Sequence, residues 1–214
     1  MRTIEGQATR LSRTMHGIAY DATHDEIVVP VALAAAVLSF HGGAAGAESP
    51  IRVIQGPATQ MVRPHTVTVD EQNGEIIVGD SSSRAILVFD RMANGNAKPL
   101  HIIRGPNTQI DRINQMAIYP AGKLVVVAMP GVQGEMEPPR VFVGMWSLDD
   151  NGNVPPKWTI NGDQSTLRKP FAVALNPDQK EIYVTDMRLN GVMTFSVPEV
   201  FEPAARVAAP GNRR

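Results

Sequence analysis

Cysteine is absent from the 214-residue chain, which excludes disulfides, thiol nucleophiles, iron–sulfur clusters and thiolate zinc sites. Aromatic residues are scarce at 5%, so an aromatic that recurs at a fixed place has a packing role to explain. A net charge of either sign is also missing. The 20 Lys and Arg nearly balance the 21 Asp and Glu, leaving no global field to draw the chain to nucleic acid or to an acidic membrane. Long apolar runs are missing too. The longest, residues 27–40, resembles the core of a secretion signal, but Asp21, Asp25 and Glu26 precede it where a signal carries positive charge. It also falls short of the ~20 residues that span a bilayer. Neither a targeting nor a membrane role is expected of it. What is plentiful is turn chemistry: 18 Gly and 17 Pro argue for many short elements over long helices. A chain of this length buries a core without covalent staples.

Self-similarity decides the architecture. Ile4-Glu5-Gly6, Ile54-Gln55-Gly56, Ile103-Arg104-Gly105 and Ile160-Asn161-Gly162 recur at intervals of 50, 49 and 57 residues. Each glycine is followed by a hydroxyl residue (Thr9, Thr59, Thr108, Ser165), then an apolar one (Leu11, Met61, Ile110, Leu167), then a basic one (Arg13, Arg63, Arg112, Lys169).

Three short β-branched stretches follow in every unit, separated by turn residues. The first set is 17–20, 66–69, 115–118 and 172–175; the second is 27–31, 76–80, 124–128 and 182–186. The third set ends in one aromatic slot, Phe40, Phe89, Trp146 and Phe195, which is expected to anchor packing between neighbouring units. A fourth stretch, 50–54, 99–103 and 156–160, returns to the next Ile-x-Gly. Units of four antiparallel strands and about 50 residues predict β-propeller blades. The predicted fold is therefore all-β, a propeller of four blades spanning residues 6–56, 56–105, 105–162 and 162–197 with 1–5. In that scheme Arg2-Thr3-Ile4 supplies the fourth strand of the last blade, pairs with residues 192–196 and removes an open edge. Residues 198–214, rich in Pro and Ala, are expected to form a poorly ordered tail.

The stretches 63–70, 75–80 and 85–90 resemble the NHL-repeat pattern of Pro-x-Gly-Ile-Ala-Val-Asp, Val-Tyr-Val-Ala-Asp and Ile-x-Val-Phe. Residues 169–176 and 181–186 repeat the resemblance, whereas Val31 and Ala128 replace the strand-end aspartates Asp80 and Asp186. The family usually builds six-bladed rings. Pro64-His65 is also similar to the Pro-His motif of the peptidyl-hydroxyglycine lyase branch, in which histidines from several blades bind zinc on the axis. By that resemblance His16 and His65 match, while Asn114 and Phe171 depart. The resemblance further implies an exported or periplasmic protein.

Chemistry is expected at one mouth of the ring. The first residue of each innermost strand should point to the axis, and that slot holds His16, His65, Asn114 and Phe171. Two imidazoles and an amide could hold one divalent metal, whether zinc, copper or calcium, or an anionic ligand. Channel side chains bonded to each other or to water are the simpler alternative. The basic ring of Arg13, Arg63, Arg112 and Lys169 could cradle a carboxylate or phosphate, or could serve the repeat by pairing with Asp80 and Asp186. One insertion breaks the pattern: residues 126–146 span nine more positions than the matching loops of the other blades. It emerges on the same face and offers Glu135 and Glu137 as acid/base groups or ligands.

No nucleophile elbow, phosphate-binding loop or His-Glu-x-x-His motif is present. The expected function is thus a binding or interaction module for a small molecule, peptide or protein at the channel mouth, with homo-oligomers possible. A metal-dependent lyase or hydrolase using His16, His65 and the loop carboxylates is the alternative.

Overall fold

The computed structural model describes residues 1–132 and 140–202. They form four antiparallel sheets in chain order, consistent with a four-bladed propeller. The first blade contains β1 (Ala19–Asp21), β2 (Glu26–Val31), β3 (Ala36–His41) and β4 (Arg52–Gln55); the second contains β5 (Pro64–Asp70), β6 (Glu75–Asp80), β7 (Ala85–Asp90) and β8 (His101–Arg104). The third holds β9 (Met116–Tyr119), β10 (Leu124–Met129), β11 (Phe142–Ser147) and β12 (Trp158–Ile160). The fourth holds β13 (Pro170–Asn176), β14 (Glu181–Asp186) and β15 (Gly191–Ser196). No described helix is long and apolar enough to cross a membrane.

The four repeated slots assemble one joint between blades. Gly56 and Gly105 adopt φ of +134°, a backbone region that side chains with a Cβ rarely enter. A Cβ there would also meet Asn96 or Asn153 at 2.5 Å. The hydroxyl residue three positions on donates to the glycine carbonyl: Thr59 Oγ1 to Gly56 O at 2.7 Å, Thr108 Oγ1 to Gly105 O at 2.6 Å. The same oxygens accept the N–H of the apolar residue two further on, Met61 and Ile110. Locking that turn drops the apolar side chain into the seam between blades, where Met61 and Ile110 are buried.

On the far side of the joint, Ile54 and Ile103 bridge in parallel to Gly95 and Gly152 of the next blade. The flanking asparagines clasp it: Asn94 and Asn96 Oδ1 accept Val53 and Ala58 N–H, and Asn151 and Asn153 Oδ1 accept Ile102 and Asn107 N–H. Sequence composition marks these Asn-Gly-Asn segments only as turns.

The apolar side chains sort into layers by strand alternation. One cluster joins the first and second blades around Val37, Ile76 and Phe89. Another joins the second and third around Ile77, Val88 and Trp146, and a third joins the third and fourth around Val126, Met145 and Val184. Phe89 and Trp146 are fully buried in the seams between blades and Phe195 packs half-buried against the third blade, as the anchor slot requires. Phe40, 1% exposed, instead packs within the first blade and against the N-terminal segment.

Four expectations need correction. Ile4 does not pair with β15. It bridges Gly46 of the first blade, with Glu5 N–H donating to Gly46 O and Gly46 N–H to Thr3 O. The N-terminal segment thus repeats the clasp made at Ile54 and Ile103, and with Leu11 it covers the apolar face of Val31, Leu38 and Phe40. The fourth blade offers that face no apolar layer: Tyr183 and Thr194 stand where the second blade has Ile77 and Val88. Accordingly, no apolar cluster joins the fourth blade to the first among the described residues.

Second, β1 begins at Ala19, because residues 14–18 leave the sheet for the neighbouring blade. Third, Met129, not Ala128, occupies the place of Asp80, since Met129 pairs Phe142 as Asp80 pairs Ala85. Fourth, the start of the supposed tail is packed. The short helix α1 (Pro198–Phe201) buries Val200 and Phe201 against the third blade, with Phe201 edge-on to Tyr119 at 5.2 Å. Residues 203–214 lie outside the described residues.

Candidate functional site

His65 sits at a β-bulge. The register of β5 on β6 shifts between Pro64 and Thr66, and a bulge turns its residue out of the ladder. Phe171 occupies the same kind of irregularity in β13. His65 thereby faces the channel mouth, where Nδ1 lies 3.2 Å from Asn114 O. That is the position of an Nδ1–H donor, and it leaves Nε2 as an acceptor.

His16 arrives by a different route. Gly17 lies against the backbone of β5, with a Cβ position only 3.1–3.3 Å from Thr66 Cα, His65 O and Val67 N. A side chain there would have to push the β5 backbone back by a few tenths of an ångström, and Gln115 Nε2 donates to His16 O at 3.3 Å from the third blade. His16 therefore stacks on His65 with ring centroids 4.4 Å apart and planes 13° from parallel.

A cavity of about 490 Å³ opens here, lined by the two histidines, Arg63, Arg84, Arg112, Ser81, Ser82, Asp111 and Val132. Among the described residues, three guanidinium groups against one carboxylate make its wall cationic. Asp111 is itself engaged, 3.4 Å from Arg84 and 3.0 Å from Arg140. Burial holds the His65 imidazole below its ordinary pKa, and His16, Arg112 and Arg63 lower it further, against the opposing pull of Asn114 O.

The candidate residues divide. Arg63 and Arg112 line the cavity; Arg13 and Lys169 do not. The pairing considered for the basic slot exists, but through the backbone: Asp80 Oδ2 accepts the N–H of Val62 and Arg63, and Asp186 Oδ2 those of Arg168 and Lys169. Asn114 contributes its backbone carbonyl to His65, while its side-chain Oδ1 is buried without a hydrogen-bond partner among the described residues. Glu135 and Glu137 lie outside the described residues.

As a metal site the pair fits poorly. An imidazole binds through a lone pair in the ring plane at about 2.0–2.1 Å, and the lone pairs of two near-parallel stacked rings run side by side without converging. The expected His16, His65 and Asn114 set therefore does not assemble as ligands of one ion in this arrangement.

Sequence reasoning missed Arg84, Asp111 and the serines. One signal was available: Asp111 is the acidic exception at a position held by Ser12, Val62 and Arg168 in the other units.

An ion-pair cluster ties the first and second blades away from this cavity. Glu26 and Arg52, both buried, pair bidentately, and Arg91 of the second blade joins them at 3.3 Å. Burial would raise the Glu26 pKa, but the two guanidiniums outweigh it and hold it low.

No family model matches the chain, and no curated protein matches it in sequence. Among solved structures it is similar to Kuenenia stuttgartiensis hydrazine synthase, with a TM-score of 0.58 and 15% identity over 80% of this chain and 43% of that one. The chain thus spans less than half of that protein's length, and the likeness concerns the fold, a β-propeller.

Proposed function

We propose that the chain is an NHL-like propeller module that binds the anionic group of a small molecule or peptide at this channel mouth. The observation that carries the reading is the cavity wall: Arg63, Arg84 and Arg112 face a space whose one carboxylate among the described residues, Asp111, already has cationic partners. Guanidinium forks match carboxylate and phosphate oxygens two at a time. Ser81 and Ser82 add hydroxyls, and His65 Nε2 offers a site that gains a proton readily once negative charge sits beside it. The stacked imidazoles supply a flat wall for the ligand and carry no metal chemistry in this reading.

Calorimetric titration with inorganic phosphate tests it. Binding to the wild type that weakens at least tenfold in Arg63→Ala/Arg112→Ala, with Arg13→Ala unchanged, supports the reading. Equal affinity in all three proteins, or none in the wild type, refutes it.

A further inference from the structure

The cationic cavity does not end at Asp111. A second cavity of about 370 Å³ lies beside it along the seam of the second and third blades, lined by Ser83, Arg84, Arg104, Gln109, Ile110 and Arg140 with the backbone at Gly105. Arg84 and Asp111 border both spaces. Each lobe therefore has its own arginines, Arg63 and Arg112 in one and Arg104 and Arg140 in the other, and among the described residues a single carboxylate, Asp111, stands between them.

That carboxylate is unusual. The Asp111 side chain is only 9% exposed, and its Oδ2 makes no hydrogen bond among the described residues. Arg140 Nη2 lies 3.0 Å from it, but no N–H is aimed along the contact, so the attraction is electrostatic only. Arg84 donates to the other oxygen, Oδ1, at 3.4 Å, so the carboxylate's charge is balanced while one buried oxygen retains capacity for a donor. The covering arginines can give way, because Arg84 and Arg140 are 61% and 54% exposed.

Resting on the anion-binding reading above, we propose that the two lobes together take an acidic peptide segment. Its two carboxylates enter the two arginine lobes, and a backbone N–H between them donates to Asp111 Oδ2. The order along the groove is cation, acceptor, cation, and an acidic peptide presents the complement: anion, donor, anion. A polyphosphate lacks the central donor. A nucleotide lacks a platform, since neither lobe is lined by Phe, Tyr or Trp, on which bases commonly stack. Arg84 and Arg140 turn from Asp111 to the ligand carboxylates as the N–H replaces them.

The test compares capped peptides bearing one glutamate, two glutamates, and two glutamates with the intervening amide N-methylated, alongside inorganic phosphate and tripolyphosphate. The diacid should bind at least tenfold more tightly than the single acid. Arg140→Ala and Arg104→Ala should each remove that gain. N-methylation should weaken the wild type about tenfold and have no effect in Asp111→Ala.

A diacid no tighter than the single acid overturns the proposal while phosphate binding still stands; absent phosphate binding overturns the underlying reading instead. Tripolyphosphate that matches the diacid and ignores Asp111→Ala also overturns the proposal, as a general polyanion site. If Asp111→Ala fails to fold, the exposed Arg140→Ala variant decides.

Discussion

His16 and His65 come from different blades and lie face to face with ring centroids 4.4 Å apart, because Gly17, in the segment before β1, lies directly against the backbone of β5. The stack is a product of backbone approach, and it depends on the residue beside His16 as much as on the rings. Gly17→Ala should push residues 14–18 away from β5, since its Cβ would meet main-chain atoms at 3.1–3.3 Å. Histidine ring resonances should lose their mutual shielding in NMR spectra, with only a modest fall in melting temperature. Unchanged ring shifts would mean that the approach tolerates a methyl group.

Proton binding at His65 should make the fold sensitive to mild acid. Its pKa is lowered in the folded state from 6.5, so the unfolded chain binds more protons below that value. Stability is then complete above pH 6.5 and declines as pH falls toward the folded pKa. A pH series of melting temperatures should show this slope, His65→Asn should flatten it, and saturating phosphate should also reduce it by favouring the charged ring. A wild-type curve flat from pH 7.5 to 5 contradicts the assignment.

The strand-end aspartates tie each joint to its own blade. Asp80 accepts four N–H groups, from Val62, Arg63, Ser82 and Ser83, and Asp186 does the same in the fourth blade. Asp80→Ala leaves these donors without a charged acceptor and should cost about 3 kcal/mol in denaturant unfolding. Burial would raise the Asp186 pKa, yet its four donors hold it below 3.8. Its contribution is therefore present above pH 3.8 and lost as pH falls through the folded value. Asp186→Asn should melt at a lower temperature at pH 6 and differ less from the wild type at pH 3.

Phe89 is fully buried in the seam between the first and second blades. Phe89→Ala should destabilise by about 3–5 kcal/mol and alter ligand affinity only near its unfolding transition. A loss below 1 kcal/mol by chemical denaturation would show that the seam collapses around the gap.

The repeat itself was legible without coordinates, because each of its slots answers a local demand. The glycine meets a positive φ, the hydroxyl closes a turn, the apolar residue enters a seam and the aromatic anchors it. These demands recur in every unit and so leave a period in the sequence. The ring of four basic residues was equally visible, but its meaning was not: the backbone N–H of Arg63 and Lys169 serves the joint, and whether a side chain reaches the cavity depends on its blade. The destination of Ile4 was half legible: Ile54 pairs Val37 and clasps Gly95 at once, whereas Ile4 makes only the clasp, on Gly46, because that contact needs a turn of the next blade and the pairing needs the edge of β15 to approach. Arg84, Asp111, Arg104 and Arg140 carry no common period and meet only where two blades form a seam. Composition and alternation specify what each strand buries; which charged groups finally face one another is decided by the packing of whole sheets, and only the tertiary structure contains that.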